Sequence, residues 1–493
     1  MFNIQKQARA LVFSPVSLWD VHHADTIELL YRLDSENKQT FLINCFGDLS
    51  SCAPNSTHSK EKCDQCIKIS NYSGINLYPK KTVQIKLEIP NEKLNAKSFS
   101  PKQFFDLKYE SLPVGRLVAS QIADDLGSYY FYYKWEEDEK RAKQHAANCI
   151  GLYSFFKKII CTYKIDEVYA WNGRRPSDGP ALYAAKHLNK KYFSFIVGSE
   201  PKTLFVSDAT SVQDINKTNQ NIKRIKKNFS DKTQKIAKEY LSLYSSGKLN
   251  QIGYVNYAGS KSLSLNLDKK NLLLVTSSPQ ESMHLEEVKN FFGLYPFEKI
   301  FSFIDQEKIT NKYNVTVRWH PRIARSKGLD SEVIHRLAKN NPNINHIFPE
   351  SNVKTELLLP QADVVTGTNS TLCLLAVTLG KPVILFGPWV SYFGNSVYSV
   401  STPHELSALL EKDLSPKPSN DAYALAYYRS SFGDPNRNVF FTEKKGKRMF
   451  YLAKSLFRKI PIHPEQLEIK SKFPFLVRIK TFLKKLTSRK ILN

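Results

Sequence analysis

Nowhere in the 493 residues do apolar residues run together for the roughly 18 positions that a bilayer-spanning helix needs, so no such helix is expected. The opening stretch, MFNIQKQARALVFSPVSLWD, holds one short apolar run, LVF, and no small-residue cleavage pattern, so it does not read as a signal peptide. The chain is therefore expected in the cytoplasm, with its seven cysteines reduced. No segment repeats at a period of roughly 20–50 residues, which argues against a solenoid or propeller. Acidic residues are scarce: 46 Asp and Glu stand against 71 Lys and Arg, a formal net charge of +25. That balance favours anionic partners such as nucleic acid, anionic lipid surfaces or phosphorylated substrates. No basic-aromatic motif such as an RNA-recognition signature accompanies the charge, so nucleic acid is not the expected partner.

What is present is an alternating α/β pattern. Hydrophobic residues make up 42% and aromatics 12%, ample for sizeable cores. The length allows two or three domains at roughly 100–200 residues each. Strand-like runs at 10–14 (ALVFS) and 40–45 (TFLINC) flank a helical spacing at 25–33, which is a βαβ unit. Residues 46–102 read as irregular and 103–163 as largely helical. A strand at 167–171 (EVYAW) ends in Asn172, Gly173, Arg174 and Arg175, and a strand at 192–197 ends in Gly198, Ser199 and Glu200. The lysine-rich stretch 221–246 reads as a surface helix. The pattern then restarts, with strands at 271–276, 314–319, 362–366 and 382–386 separated by helical segments at 283–304, 329–340 and 371–379. The expected division is an α/β domain over 1–265 with a cysteine-rich insert at 45–66, a second α/β domain over 266–425, and a helical basic segment over 426–493.

Two constellations carry chemistry. In the second domain Arg318, His320 and Arg322 (VRWHPR) end one strand. Another strand runs into a tight turn, Gly367, Thr368, Asn369, Ser370 and Thr371, and then a helix. Backbone N–H groups and hydroxyls at a helix start attract anions, and His320 and Arg322 add donors from the neighbouring strand end. Together they suit a diphosphate or phosphodiester. The other constellation is Cys45, Cys52, Cys63 and Cys66, spaced C-x6-C-x10-C-x2-C, which reads as a structural zinc site in a reduced chain. Cys149, Cys161 and Cys373 sit on apolar stretches and read as core.

The R-x-H-P-R segment followed by G-T-N-S-T-x-x-x-x-A-x-x-x-G-K-P-V-I resembles the C-terminal domain of GT-B glycosyltransferases of bacterial capsule and O-antigen synthesis. It is similar to the His-Pro and Ser/Thr motifs of sialyltransferases and Kdo transferases, which use CMP-linked sugars. It also resembles the teichoic-acid glycerophosphotransferases, which use CDP-linked alcohols. The N-terminal WNGRRP resembles the N-G-R turn of related surface-polysaccharide enzymes, in which a strand ending in glutamate follows about 25 residues later, as Glu200 does here. One position departs from the pattern: where such enzymes often carry a ribose-contacting Glu before the helix alanine, this chain has Leu375.

The resemblance implies two doubly wound, Rossmann-like domains facing a cleft. It implies a donor nucleotide held by Arg318, His320, Arg322, Thr368, Asn369, Ser370 and Thr371. The expected activity is glycosyl transfer from a nucleotide sugar to a growing surface polysaccharide or lipid-linked glycan. The alternative is transfer of glycerol or ribitol phosphate from a CDP-alcohol. A more distant alternative, suggested by the charge alone, is nucleic-acid binding. An acceptor hydroxyl needs a base; Asp20, His22, His23, Asp178 and Glu200 sit near strand ends, and Glu200 and Asp178 are the leading choices. Asn172, Arg174, Ser278 and Glu281 are expected to line the cleft. No D-x-D stands at a strand end, so no catalytic metal is expected. Residues 473–493 alternate apolar clusters with Lys and Arg, which fits contact with an anionic membrane on the inner face of the cell.

Overall fold

A computed structural model describes residues 7–90, 98–126, 135–246, 268–277, 282–288, 308–321, 329–444, 447–455 and 458–462, with isolated positions between them. Its first sheet is built from β1 (Arg9–Phe13), β2 (Gln39–Asn44), β3 (Val83–Lys86), β4 (Glu167–Trp171), β5 (Lys191–Val197) and β6 (Thr203–Ser207). Its second contains β7 (Lys270–Val275), β8 (Tyr313–Arg318), β9 (Ile344–Ile347), β10 (Val364–Gly367), β11 (Val383–Phe386) and β12 (Tyr398–Val400). β13 (Asp434–Pro435) returns to the far edge of the first sheet, and β14 (Val439–Lys444), β15 (Lys447–Ser455) and β16 (Arg458–Pro461) form a separate antiparallel meander.

The central strands of the two large sheets, β1, β4, β7 and β11 among them, are apolar runs rather than alternating ones, because a parallel sheet is covered on both faces. EVYAW and VILF are buried along their whole length. In the first sheet the order is β13-β6-β5-β4-β1-β2-β3, with β1 to β5 parallel and β6 and β13 antiparallel at one edge. In the second the order is β12-β11-β10-β7-β8-β9, parallel throughout. Both orders reverse direction once, between β1 and β4 and between β7 and β10. A crevice opens at such a reversal beyond the carboxyl ends of the strands. The chain therefore carries two Rossmann-like units, each with its own crevice.

Helices α1 (Asp20–Ser35), α2 (Lys60–Asn76), α3 (Pro101–Phe105), α4 (Val114–Leu126), α5 (Trp135–Thr162) and α6 (Gly179–His187) cover the first sheet. In α5, Glu136, Glu137 and Asp138 oppose the helix dipole in the first turn, while Leu152, Tyr153, Phe156 and Ile160 are buried. The next two helices, α7 (Ile215–Lys227) and α8 (Asp231–Ser245), lie within the stretch read as the first domain. Their Ile215, Ile222, Ala237, Tyr240 and Leu241 nevertheless share a core with Leu273, Val275 and Leu385 of the second sheet. The helix Asn420–Ser431 packs on α7 and α8 before the chain crosses back to β13.

Three expectations need correction. The stretch 46–102 is not wholly irregular: it holds α2, which carries Cys63 and Cys66, and β3. β6, β9 and β12 fall outside the expected strands, each being short, with polar residues such as Asn345, His346 and Ser399 breaking the apolar run in β9 and β12. The segment 426–493 is helical only as far as Ser431 among the described residues. The helix ends at Ser431, and strands follow from 434 to 461. The reason is a period of two hidden by many Lys and Arg: Val439 and Phe441, Phe450 and Leu452, Ile460 and Ile462 all turn to the core over α1. Residues 463–493, including the proposed membrane segment, lie outside the described residues, as does most of the helix expected over 283–304.

Candidate functional site

At the second crevice three strand ends are tied together. After β7, Thr276 Oγ1 accepts the backbone N–H of His320, 2.8 Å away at the end of β8. Ser277 Oγ accepts from Thr368 Oγ1 at 2.6 Å, which bridges the reversal point to the end of β10. Ser370 caps the helix Thr371–Thr378, its hydroxyl accepting from Leu372 N at 3.2 Å. A side chain at Gly367 would meet Val275 O at 2.6 Å, so a bare backbone is needed where the strand enters the turn. Four of the residues read as phosphate ligands are thus placed together: His320, Thr368, Ser370 and, through the same turn, Thr371.

Arg429 was not foreseen. It arrives from the helix Asn420–Ser431 and donates from Nη1 to Thr371 Oγ1 (3.0 Å) and from Nη2 to Asn369 Oδ1 (2.8 Å). It therefore fixes the turn and brings a cation beside it. Nothing local marks it in the sequence, because its partners lie some sixty positions earlier. Arg318, in contrast, is buried within the second unit. Its guanidinium donates to Thr355 Oγ1 at 3.0 Å and to the Phe348 carbonyl at 2.5 Å, which secures the loop after β9. Leu375 is buried in the core behind the turn. Arg322, Ser278 and Glu281 lie outside the described residues.

At the first crevice, the end of β4 turns sharply. Asn172 (φ 59°) and Gly173 (φ 87°) are both left-handed, and a side chain at Gly173 would lie 2.1 Å from Thr210 O. The turn throws Arg174 and Arg175 back into the fold. Arg174 donates to Ser120 Oγ (2.8 Å) and Asp124 Oδ2 (2.7 Å), while Arg175 Nε donates to the same carboxylate at 2.9 Å. The two guanidinium charges hold Asp124 below the usual carboxylate range despite its burial. Asp178 is fully enclosed, and its oxygens accept from Arg175 N (3.1 Å) and Ser177 Oγ (3.3 Å). Burial pushes it up to about 6. It holds the turn. Glu200 stands half exposed in the β5–β6 connection and pairs with Lys202 at 2.9 Å.

Across the reversal point from Asn172, the end of β1 leads into α1. There His22 and Asp25, three positions apart on the helix, lie with Nδ1 and Oδ2 at 3.3 Å. Asp25 is buried, and burial pushes its carboxyl up to about 6 against the pull of the His22 contact. An ionised carboxylate only accepts, so Nδ1 carries the hydrogen of this contact and Nε2 is the ring nitrogen left for other chemistry. The imidazole packs between Trp19 (5.6 Å between ring centres) and Trp171 (5.0 Å), and the Arg175 guanidinium lies over Trp171 at 5.1 Å. In the sequence His22 is one of five candidate bases and ranks behind Glu200 and Asp178. What singles it out is Asp25, a helix partner that spacing alone does not rank.

The two units touch through the segment that follows β7. Met283 packs into the core of the first unit, His284 Nε2 lies 2.8 Å from Ser211 Oγ, and Leu285 O accepts from Arg116 Nη1 at 2.6 Å.

The four cysteines of the insert gather at one end of α2. Cys45 Sγ is met by the backbone N–H groups of Gly47, Asp48 and Leu49, and Asn55 Nδ2 donates to Cys63 Sγ at 3.2 Å. Burial raises Cys52 and takes Cys66 to about 11, with each thiol also feeling the others. Among the described residues no three potential ligands stand in metal-binding geometry.

No family model matches the chain, and no curated protein matches it. Among solved structures it is similar to the KpsC β-Kdo 2,4-transferase of Thermosulfurimonas dismutans, at 15% identity over 53% of this chain and 79% of that one, with a TM-score of 0.37. It is also similar to the KpsC β-Kdo 2,7-transferase of that organism (12%, 64% and 89%, 0.35). A third is the UDP-GlcNAc 2-epimerase of Methanocaldococcus jannaschii in complex with UDP-GlcNAc and UDP (12%, 85% and 98%, 0.27). The fold assignment rests on the two strand orders themselves.

Proposed function

We propose that the chain is a glycosyltransferase that moves a sugar from a nucleotide-activated donor to a hydroxyl of a growing surface polysaccharide or lipid-linked glycan. The observation that carries this reading is the pairing of two crevices. One is an anion-attracting helix start joined to His320 and Arg429, and the other holds a histidine backed by a buried carboxylate. In the first, the amides after Ser370 and the neighbouring cations would take up the charge that develops on the departing phosphate. In the second, His22 would accept the acceptor's proton while Asp25 stabilises the imidazolium formed.

The test is a thermal-shift panel with CMP, CDP, UDP and GDP on the full chain. A ligand that binds only the native state raises its melting temperature by mass action. One nucleotide should do so, and His320→Ala should weaken it by roughly tenfold to a hundredfold, the worth of one charge-assisted contact. If none of the four shifts the midpoint, the reading fails. Phosphate in the product linkage would point instead to alcohol-phosphate transfer.

Two attributes of the protein belong to the same proposal. The basic stretch 473–493 would bring the enzyme to an anionic membrane where lipid-linked acceptors lie; salt-insensitive sedimentation with anionic vesicles would contradict this. Cys45, Cys52, Cys63 and Cys66 would hold one structural zinc, which draws the raised thiols into the thiolate form and so binds more weakly as pH falls. Elemental analysis should find about one zinc per chain, lost in Cys63→Ser. A folded, zinc-free wild-type preparation overturns it.

A further inference from the structure

The first crevice holds more cationic hydrogen-bonding capacity than its own residues use. Arg116, on α4, is almost wholly buried. It spends Nη1 on Leu285 O, and its guanidinium lies 4.7 Å from the Phe105 ring, yet Nε and Nη2 are buried with no partner. Arg175 gives Nε and Nη2 to Asp124 and leaves Nη1 buried with no partner. His284 Nδ1 is in the same state. The three belong to one neighbourhood: the charges of Arg116, Arg174 and Arg175 all bear on His284, which with its burial keeps the imidazole neutral. Asp124 is the carboxylate that stays firmly ionised beside them, since burial lifts Asp178 to about 6 and Asp125 to about 7.

A buried N–H left without an acceptor costs about 1–3 kcal/mol, more when the group is charged, and native proteins keep such groups rare. Here they cluster at a strand-order reversal, in the crevice where an open α/β sheet takes its ligand. The unspent donors, Nε and Nη2 of Arg116 and Nη1 of Arg175, sit on planar guanidinium groups, which suit a carboxylate or phosphate better than a neutral hydroxyl. We propose that Arg116 and Arg175, with His284, form a subsite for an anionic group on the acceptor, so that the acceptor sugar bears a carboxylate or a phosphate. This deepens the glycosyl-transfer reading by assigning the charge class of its acceptor.

The test is calorimetric titration of the full chain with glucuronate, glucose 1-phosphate and glucose as probes. Both charged sugars, or one of them, should bind at least tenfold more tightly than glucose. Arg116→Gln and Arg175→Gln should each weaken that binding by roughly tenfold to a hundredfold. Preference for glucuronate over glucose 1-phosphate identifies a carboxylate acceptor, and the reverse a phosphate. Binding of glucose 1-phosphate that disappears in His320→Ala but survives in Arg116→Gln would lie on the donor side and count against the subsite. Equal binding of all three probes, or charged-sugar binding unchanged in both arginine variants, overturns the proposal. Should Arg116→Gln fail to fold by circular dichroism, Arg116→Lys makes the same test, since it keeps the charge and loses the forked donors. The result stands apart from the nucleotide panel: a chain that binds no nucleotide could still show arginine-dependent binding of a charged sugar.

Discussion

Exchanging His22 for alanine should slow transfer by roughly 10²–10⁴-fold, the usual worth of a positioned general base, and leave nucleotide binding intact. The imidazole is held from three sides, by Trp19, Trp171 and Asp25, so the ring is fixed in orientation while it stays only slightly exposed. Asp25→Asn should cost less turnover, because the ring keeps a hydrogen-bonding neighbour and loses only the charge that supports the imidazolium. The same substitution should stabilise the fold at pH 7. The Asp25 carboxyl is raised from 3.8 to about 6 by burial, so its contribution favours the fold below about 3.8 and is lost as pH rises through about 6. At neutral pH the ionised, buried carboxylate is therefore a liability that the asparagine removes. Turnover should fall as pH drops through about 6, where the Asp25 carboxyl takes up a proton and its negative charge is lost. Steady-state rates across pH, beside thermal melts of both variants, check this. A His22→Ala chain with near-normal rates would move the base elsewhere, with Glu200 the next residue to replace.

Glu28→Ala should lower the unfolding free energy of the first unit by roughly 3–5 kcal/mol, the range seen when one partner of a buried ion pair is removed. The Glu28 carboxylate has no exposed surface and accepts from the backbone N–H groups of Arg437 (2.9 Å), Asn438 (2.8 Å) and Val439 (3.1 Å), as well as from Arg32 Nε (3.0 Å). Arg32 in turn donates to the carbonyls of Asp434 and Pro435 at 3.2 and 2.9 Å. One helical turn of α1 thus clasps the strand junction that starts the meander, and alanine leaves three donors and a guanidinium without it. Chemical denaturation reads the stability loss. Limited proteolysis should show the first new cuts around residues 436–438. Stability within about 0.5 kcal/mol of wild type, the range of an ordinary surface substitution, would show that the meander is held by its apolar face alone.

The sequence shows its two α/β units because parallel strands are apolar runs and each is followed by polar residues where a crevice can form. The turn at Asn172 to Arg175 and the turn at Gly367 to Thr371 could be found from glycine, asparagine and hydroxyl residues alone, since backbone conformation and helix capping are local. What escaped is non-local. Arg429, Arg116, Asp124 and His284 acquire meaning only from partners far along the chain, and each alone looks like an ordinary helix or loop residue. Glu28 gives the same lesson for stability: it reads as a solvated helix glutamate until residues from the last quarter of the sequence fold over it. The meander was hidden for a different reason. Its many Lys and Arg suggested a basic helix, whereas its alternation of Val, Phe, Leu and Ile was the informative signal.

The return of the chain to the first sheet sets an order of assembly during synthesis. The second sheet draws all its strands from residues 270–400, so it can close as soon as that stretch has left the ribosome. The first sheet begins at residue 9 but waits for β13 at 434, and α1 waits for the strands that cover it up to 461. Until then β6 presents an unpaired edge, the kind of surface that recruits other strands, and the apolar face of α1 lies bare. The amino-terminal unit, first to be made, is thus the last to be finished. Chains stalled between about 431 and 461 should carry a completed second unit beside an adhesive first one, and would depend on chaperones during that interval.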